Sequence, residues 1–124
     1  MINKENKRKI ISILILLILD GLWITLYMGR KYNNMVYNIQ GNKLSVNYGY
    51  VIGAYLMMSY LLVNVVIKYN LNLLDSFIFG FCIYGIYDFT NGAIFNKWDG
   101  KLALIDMCWG GFVYMVSNYL SNLI

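Results

Sequence analysis

Four long apolar blocks, Ile10 to Met28, Gly49 to Ile67, Leu73 to Phe95 and Leu102 to Ile124, make up most of this chain, and none contains a proline. At about 1.5 Å rise per residue, each block as a helix is long enough to cross a hydrocarbon layer of roughly 30 Å. Each is too long for a strand, despite many β-branched and aromatic residues. The sequence therefore predicts an all-α integral membrane four-helix bundle: one domain over residues 1–124, with spanning helices at 10–28, 49–67, 73–95 and 102–124. Connections of about 20, 5 and 6 residues make consecutive helices antiparallel neighbours.

Composition excludes a water-soluble alternative. The chain is 60% hydrophobic and 13% charged, against about 25% charged in ordinary soluble domains. Charges confined to tails and loops cannot clothe a soluble surface.

Lys4, Lys7, Arg8 and Lys9 stand together before the first block. So short a cluster, abutting a spanning segment, reads as an orientation signal and not as a nucleic-acid-binding arm. The N-terminal tail with Lys68 balances Arg30, Lys31, Lys43, Lys97 and Lys101 on the other side. The cluster beside the first helix then sets the expectation of both termini in the cytoplasm. A cleaved signal peptide is not expected, because the run is long, no small-residue cleavage site follows, and Trp23 and Tyr27 continue the helix. Cys82 and Cys108 read as small buried hydrophobes.

Three of the six acidic residues, Asp20, Asp88 and Asp106, fall inside apolar blocks, where a carboxylate is costly and commonly functional. With alternating helix directions they lie roughly 12, 10 and 6 Å from the face bearing the first and third connections. Asp20, Trp23 and Tyr27 share one face of the first helix. Gly80, Tyr84, Tyr87, Asp88 and Asn91 form a stripe on the third, and Asp106, Trp109, Gly110, Val113 and Ser117 one on the fourth. The second offers Gly49, Gly53, Tyr60 and Asn64. Gly49 and Gly53 are spaced for close helix approach, a packing role also given to Gly80 and Gly110. The pattern D-x-x-W occurs twice, at Asp20–Trp23 and Asp106–Trp109, which raises internal repetition as an explanation.

Two readings of the aspartates stand side by side. Each can be polar glue, hydrogen-bonded to Tyr, Asn or Trp of a neighbouring helix. Together they can instead line a pocket for a polar or cationic group, or relay protons. No Lys or Arg lies at their depth, though Arg30, Lys31, Lys97 and Lys101 can reach in by snorkelling. Trp98, Tyr27, Tyr32, Tyr37, Tyr48 and Tyr50 suit an aromatic belt. With no histidine and no cysteine pair at ligand spacing, neither a metal nor a cofactor is expected. A serine or cysteine nucleophile would lack a histidine base, which leaves a Ser–Lys or carboxylate mechanism as the covalent alternatives.

The segment Tyr84-Gly-Ile-Tyr87-Asp88-Phe-Thr90-Asn91, the later Trp98, the Asp106-x-x-Trp109-Gly110 element and the first-helix Asp20-x-x-Trp23 together resemble domain-of-unknown-function family 2177. The resemblance covers most of the chain. It implies a four-helix membrane protein of bacteria and some large DNA viruses, and brings with it no activity, substrate or cofactor. Its hallmark positions fall at Asp20, Trp23, Tyr87, Asp88, Thr90, Asn91, Trp98, Asp106, Trp109 and Gly110. The second block lacks the prolines that many relatives carry, so a role for that helix transfers less safely.

The leading functional expectation is a module that binds or transports a small polar ligand, a proton or a lipid headgroup, at a site of Asp20, Trp23, Tyr84, Tyr87, Asp88, Thr90, Asn91, Asp106 and Trp109. One alternative is a membrane-embedded enzyme acting on lipid or isoprenoid, with Asp88 as acid or base and Asn91 and Tyr87 orienting substrate. Another is a structural or assembly subunit of a membrane complex. Expected partners are membrane lipid, a second copy of the chain in a homo-oligomer, and a small molecule whose identity the sequence leaves open; no nucleic acid is expected.

Overall fold

The structure, a computed structural model, describes residues 2–124. Among them run four helices, α1 (Lys4–Gln40), α2 (Tyr48–Ile67), α3 (Leu73–Ile94) and α4 (Gly100–Leu123). Each begins on an amide or carboxylate side chain that accepts first-turn backbone N–H groups: Asn3 from Asn6, Asn47 from Gly49, Asn72 from Asp75, and Asp99 from Lys101 and Leu102. These caps satisfy donors that helix geometry leaves unpaired.

Helix ends follow backbone chemistry more closely than hydropathy. The first helix was expected to end at Met28, but α1 runs 12 residues further, from Gly29 to Gln40. Those residues are polar, yet none of them breaks a helix. The stop comes at Gly41, which takes the left-handed conformation (φ 77°) and donates its N–H to the Tyr37 carbonyl, a conformation that glycine adopts without strain. Asn70 (φ 50°) plays the same part after α2. Its N–H reaches the Ile67 carbonyl and that of Leu71 the Val66 carbonyl, the two bonds of a Schellman motif.

Two stretches of π-helix, Ile24–Met28 and Leu62–Ile67, lie within α1 and α2. In the first, Gly29 N–H bonds the carbonyl of Ile24, five residues back. One extra residue in the turn rotates everything beyond it by about 100°. The inward stripe that starts with Leu16 and Asp20 therefore continues through Met28, Tyr32 and Met35, and Tyr27 turns outward.

Helices α3 and α4 form the most intimate pair and run antiparallel, with Ser76 opposite Asn118, Gly80 opposite Gly110, and Gly85 opposite Met107. A Cβ on Gly80 would collide with the Gly110 carbonyl oxygen, and one on Gly110 with the Tyr84 ring. Helix α1 lies antiparallel to α4, since Arg8 bonds Asn118 near one end and Trp23 bonds Asp106 near the other. Helix α2 joins mainly through its last turns. Leu62 and Val66 enter the core with Leu16, Tyr84, Val113 and Tyr114, whereas Tyr48–Leu61 contains no buried residue.

Leu26, Ile52, Leu56, Ile86, Phe89 and Leu104 all point outward, an arrangement suited to lipid and not to water. By length and hydropathy α1, α2 and α3 qualify as membrane-crossing helices. Helix α4 carries buried Asp106, Ser117, Asn118 and Ser121 on its inner face, which makes it the least lipid-like of the long helices and the centre of the bundle. The fold is an all-α membrane bundle. Cys82 and Cys108, expected inside, are exposed on its apolar surface.

Candidate functional site: a divided carboxylate cluster

Asp20, Asp88 and Asp106 are all buried, but their surroundings differ. Asp20 is tied into the helix packing. Its Oδ1 accepts the Tyr84 hydroxyl at 2.6 Å and its Oδ2 the Tyr55 hydroxyl at 2.5 Å, so a single carboxyl joins α1, α2 and α3. Tyr55 was missed because α2 is apolar or aromatic all round and gives no periodic signal. The face chosen instead points away from the core, with Gly49 and Tyr60 exposed, no neighbouring side chain within 4 Å of a Cβ on Gly53, and Asn64 donating back to the Tyr60 carbonyl.

Asp106 joins α4 to α1. The Trp23 indole N–H donates to its Oδ1 at 3.2 Å, and the Trp23 ring stacks on Trp109, with centroids 4.5 Å apart and planes 7° from parallel. The exchange is one-sided: Trp23 of α1 bonds the α4 carboxyl, whereas Trp109 meets α1 through its ring alone and its buried N–H has no partner among the described residues. Because α1 and α4 run antiparallel at the two ends of the chain, copying of a helix pair would not place them in equivalent positions. The repeated pattern is a contact between two helices.

Asp88 is 1% exposed, and neither of its oxygens has a hydrogen-bond partner among the described residues. Around it stand the Asp106 carboxyl, the Trp98 indole and the Tyr32 hydroxyl. Trp98 Nε1 and Tyr32 Oη are themselves buried and unpartnered. Two acceptor atoms and two donors therefore converge without bonding one another, although buried polar groups are almost always paired. Tyr32 and Trp98, assigned from sequence to the aromatic belt, turn inward instead. Tyr32 does so because of the π turn, and Trp98 because it rests on Gly92 with its ring 6.1 Å from those of Tyr32, Tyr87 and Phe95. Tyr37, Tyr48 and Tyr50 remain outside, as a belt requires.

The structure leaves the other expected site residues at the margin. Tyr87 is 54% exposed and meets the site through an edge contact with Trp98. Thr90 is exposed, and Asn91 is half-buried at the end of α3, where its carbonyl accepts the Phe95 N–H. The lysines expected to reach the carboxyls turn elsewhere, Lys31 over the Tyr27 ring and Lys97 to the Asn38 carbonyl, while Arg30 and Lys101 are exposed. The Lys97 contact and the bond from Asp99 N–H to Met35 Sδ hold the α3–α4 connection against the far end of α1. That is what seats Trp98 over Asp88.

No curated protein and no solved structure matches the chain. A family model described as "Predicted membrane protein (DUF2177)" matches residues 7–123, which takes in every residue of the carboxylate cluster and of its aromatic cover. The chain belongs to this family of predicted membrane proteins.

Proposed function

We propose that the chain is a single membrane domain crossing the bilayer four times with both termini in the cytoplasm, and that it binds a small polar group at Asp88. The observation that carries this reading is the convergence of unpartnered groups: both Asp88 oxygens, the Trp98 N–H and the Tyr32 hydroxyl. A guest with a hydroxyl or ammonium donor facing Asp88 and Asp106, and an acceptor facing Trp98 and Tyr32, satisfies all four atoms at once. An ammonium group would gain further from the faces of the surrounding rings. Leaving such groups unpaired costs about 1–3 kcal/mol each, which a ligand recovers on binding. Asp20 takes no part in this chemistry, since its two tyrosines already occupy it.

The test is thermal unfolding in detergent of the wild type and of Asp88→Asn with a panel of primary amines, amino alcohols, polyols and amine-headed lipids. One ligand class should raise the wild-type midpoint by several degrees and leave the variant unmoved. Equal shifts in both proteins, or none across the panel, would count against a site at Asp88.

A further inference from the structure

At the opposite end of the bundle, where α1 begins and α4 ends, the α2–α3 connection borders an open cavity of about 190 Å3. Its lining includes Arg8, Asn70, Asn72, Asn118, Tyr119 and Asn122, and no carboxylate. We propose that this cavity is a second site, separate from the carboxylate cluster, that binds a phosphate group with Arg8 as its principal ligand.

Arg8 is half-buried, and no acidic residue neutralises it; the one ion pair among the described residues joins Lys9 to Glu5. Its guanidinium is nonetheless held in place. Nη2 donates to Asn118 Oδ1 at 2.7 Å and toward the Asn118 carbonyl at 3.5 Å. Asn118 is itself 5% exposed and spends both amide hydrogens, on the Leu71 carbonyl and on Ser76 Oγ, each at 2.9 Å. A buried side chain with both amide hydrogens already spent thus fixes one corner of the fork. Nε is buried without a partner, and Nη1 enters no hydrogen bond among the described residues. A guanidinium positioned in this way suits the paired oxygens of a phosphate, which it meets with two parallel N–H donors.

Two more features favour an anion. Asn72 caps α3, so the positive end of a 22-residue helix lies at the cavity wall, offset in part by Asp75 in its first turn. Lys4 and Lys7 flank Arg8 in sequence and add to the local positive field, while Lys9 is paired with Glu5. The cavity sits at the end of the apolar blocks, where a spanning bundle would meet lipid phosphates, but free inorganic phosphate presents the same oxygens.

Native mass spectrometry of the full chain, released from mixed micelles containing dioleoyl phosphatidic acid, decides the matter together with titrations in the same detergent. Phosphatidic acid should bind saturably at one site. Arg8→Gln should weaken it at least tenfold, and Arg8→Lys, which keeps the charge but loses the fork, at least threefold. Asn122→Asp changes an exposed residue, which removes folding as an explanation, and should also weaken binding at least threefold. If inorganic phosphate competes with the lipid at equal phosphate concentration, the site serves the free anion. If it does not, the site serves the headgroup. Binding of phosphatidic acid that is unchanged in Arg8→Gln and in Asn122→Asp, or no saturable binding to the wild type, overturns the proposal.

Discussion

The Trp23 and Trp109 rings lie face to face, 4.5 Å apart, across the seam between the first and last helices. Trp23 also holds Asp106 through its N–H. Trp23→Phe keeps an aromatic face and removes the donor, leaving a buried carboxyl oxygen without its partner. Thermal or denaturant unfolding in detergent should show a loss of about 1–3 kcal/mol. A variant as stable as the wild type would mean that the bond contributes nothing to the seam.

The aspartates should separate by stability. Asp20→Leu strands two tyrosine hydroxyls inside the bundle and should cost about 2–5 kcal/mol. Asp88→Leu removes a carboxyl that no protein group satisfies and should be neutral or stabilising. Parallel unfolding curves are the check, and equal destabilisation by the two changes would contradict the division of the cluster.

Helix contact predicts a contrast between glycines. Gly80→Ala places a methyl group against the backbone of α4 and should destabilise by about 1–3 kcal/mol. Gly53→Ala meets nothing within 4 Å and should be neutral or gain up to about 1 kcal/mol from helix propensity. Retention of monodisperse, folded protein after heating would rank the two variants.

Trp98 covers Asp88, so its removal should expose the carboxyl. A hydrophobic carbodiimide should label Asp88 several-fold faster in Trp98→Ala than in the wild type, read by peptide mass spectrometry. Labelling of Asp20 should stay slow in both, because Tyr55 and Tyr84 occupy it. Equal labelling of Asp88 in the two proteins would remove Trp98 from its role as cover.

Much of this was legible in the sequence. Block length and hydropathy gave the helical membrane bundle, and the intramembrane aspartates with their tryptophans gave the seam between α1 and α4. The D-x-x-W spacing named both partners, although it could not show that Trp23 serves the carboxyl of the opposite helix. Tyr55 escaped because a helix that is apolar on every face carries no phase. Tyr32 escaped because hydropathy falls at Gly29 while the helix continues. Arg8 looked like one charge among four, and only its contact with Asn118, 110 residues away, sets it apart.

The π turn of α1 gives the chain slack that a deletion can take up. With one residue removed between Ile24 and Met28, the bond from Gly29 N–H to the Ile24 carbonyl would close an ordinary helical turn, and the outer half of α1 would keep its face toward the bundle. Removal of Arg30 finds no such slack: Tyr32 would swing by about 100° and leave the neighbourhood of Asp88. A chain shortened by one residue is therefore tolerated inside the π turn and disruptive just beyond it, so the sequence there is free in length where its neighbours are not.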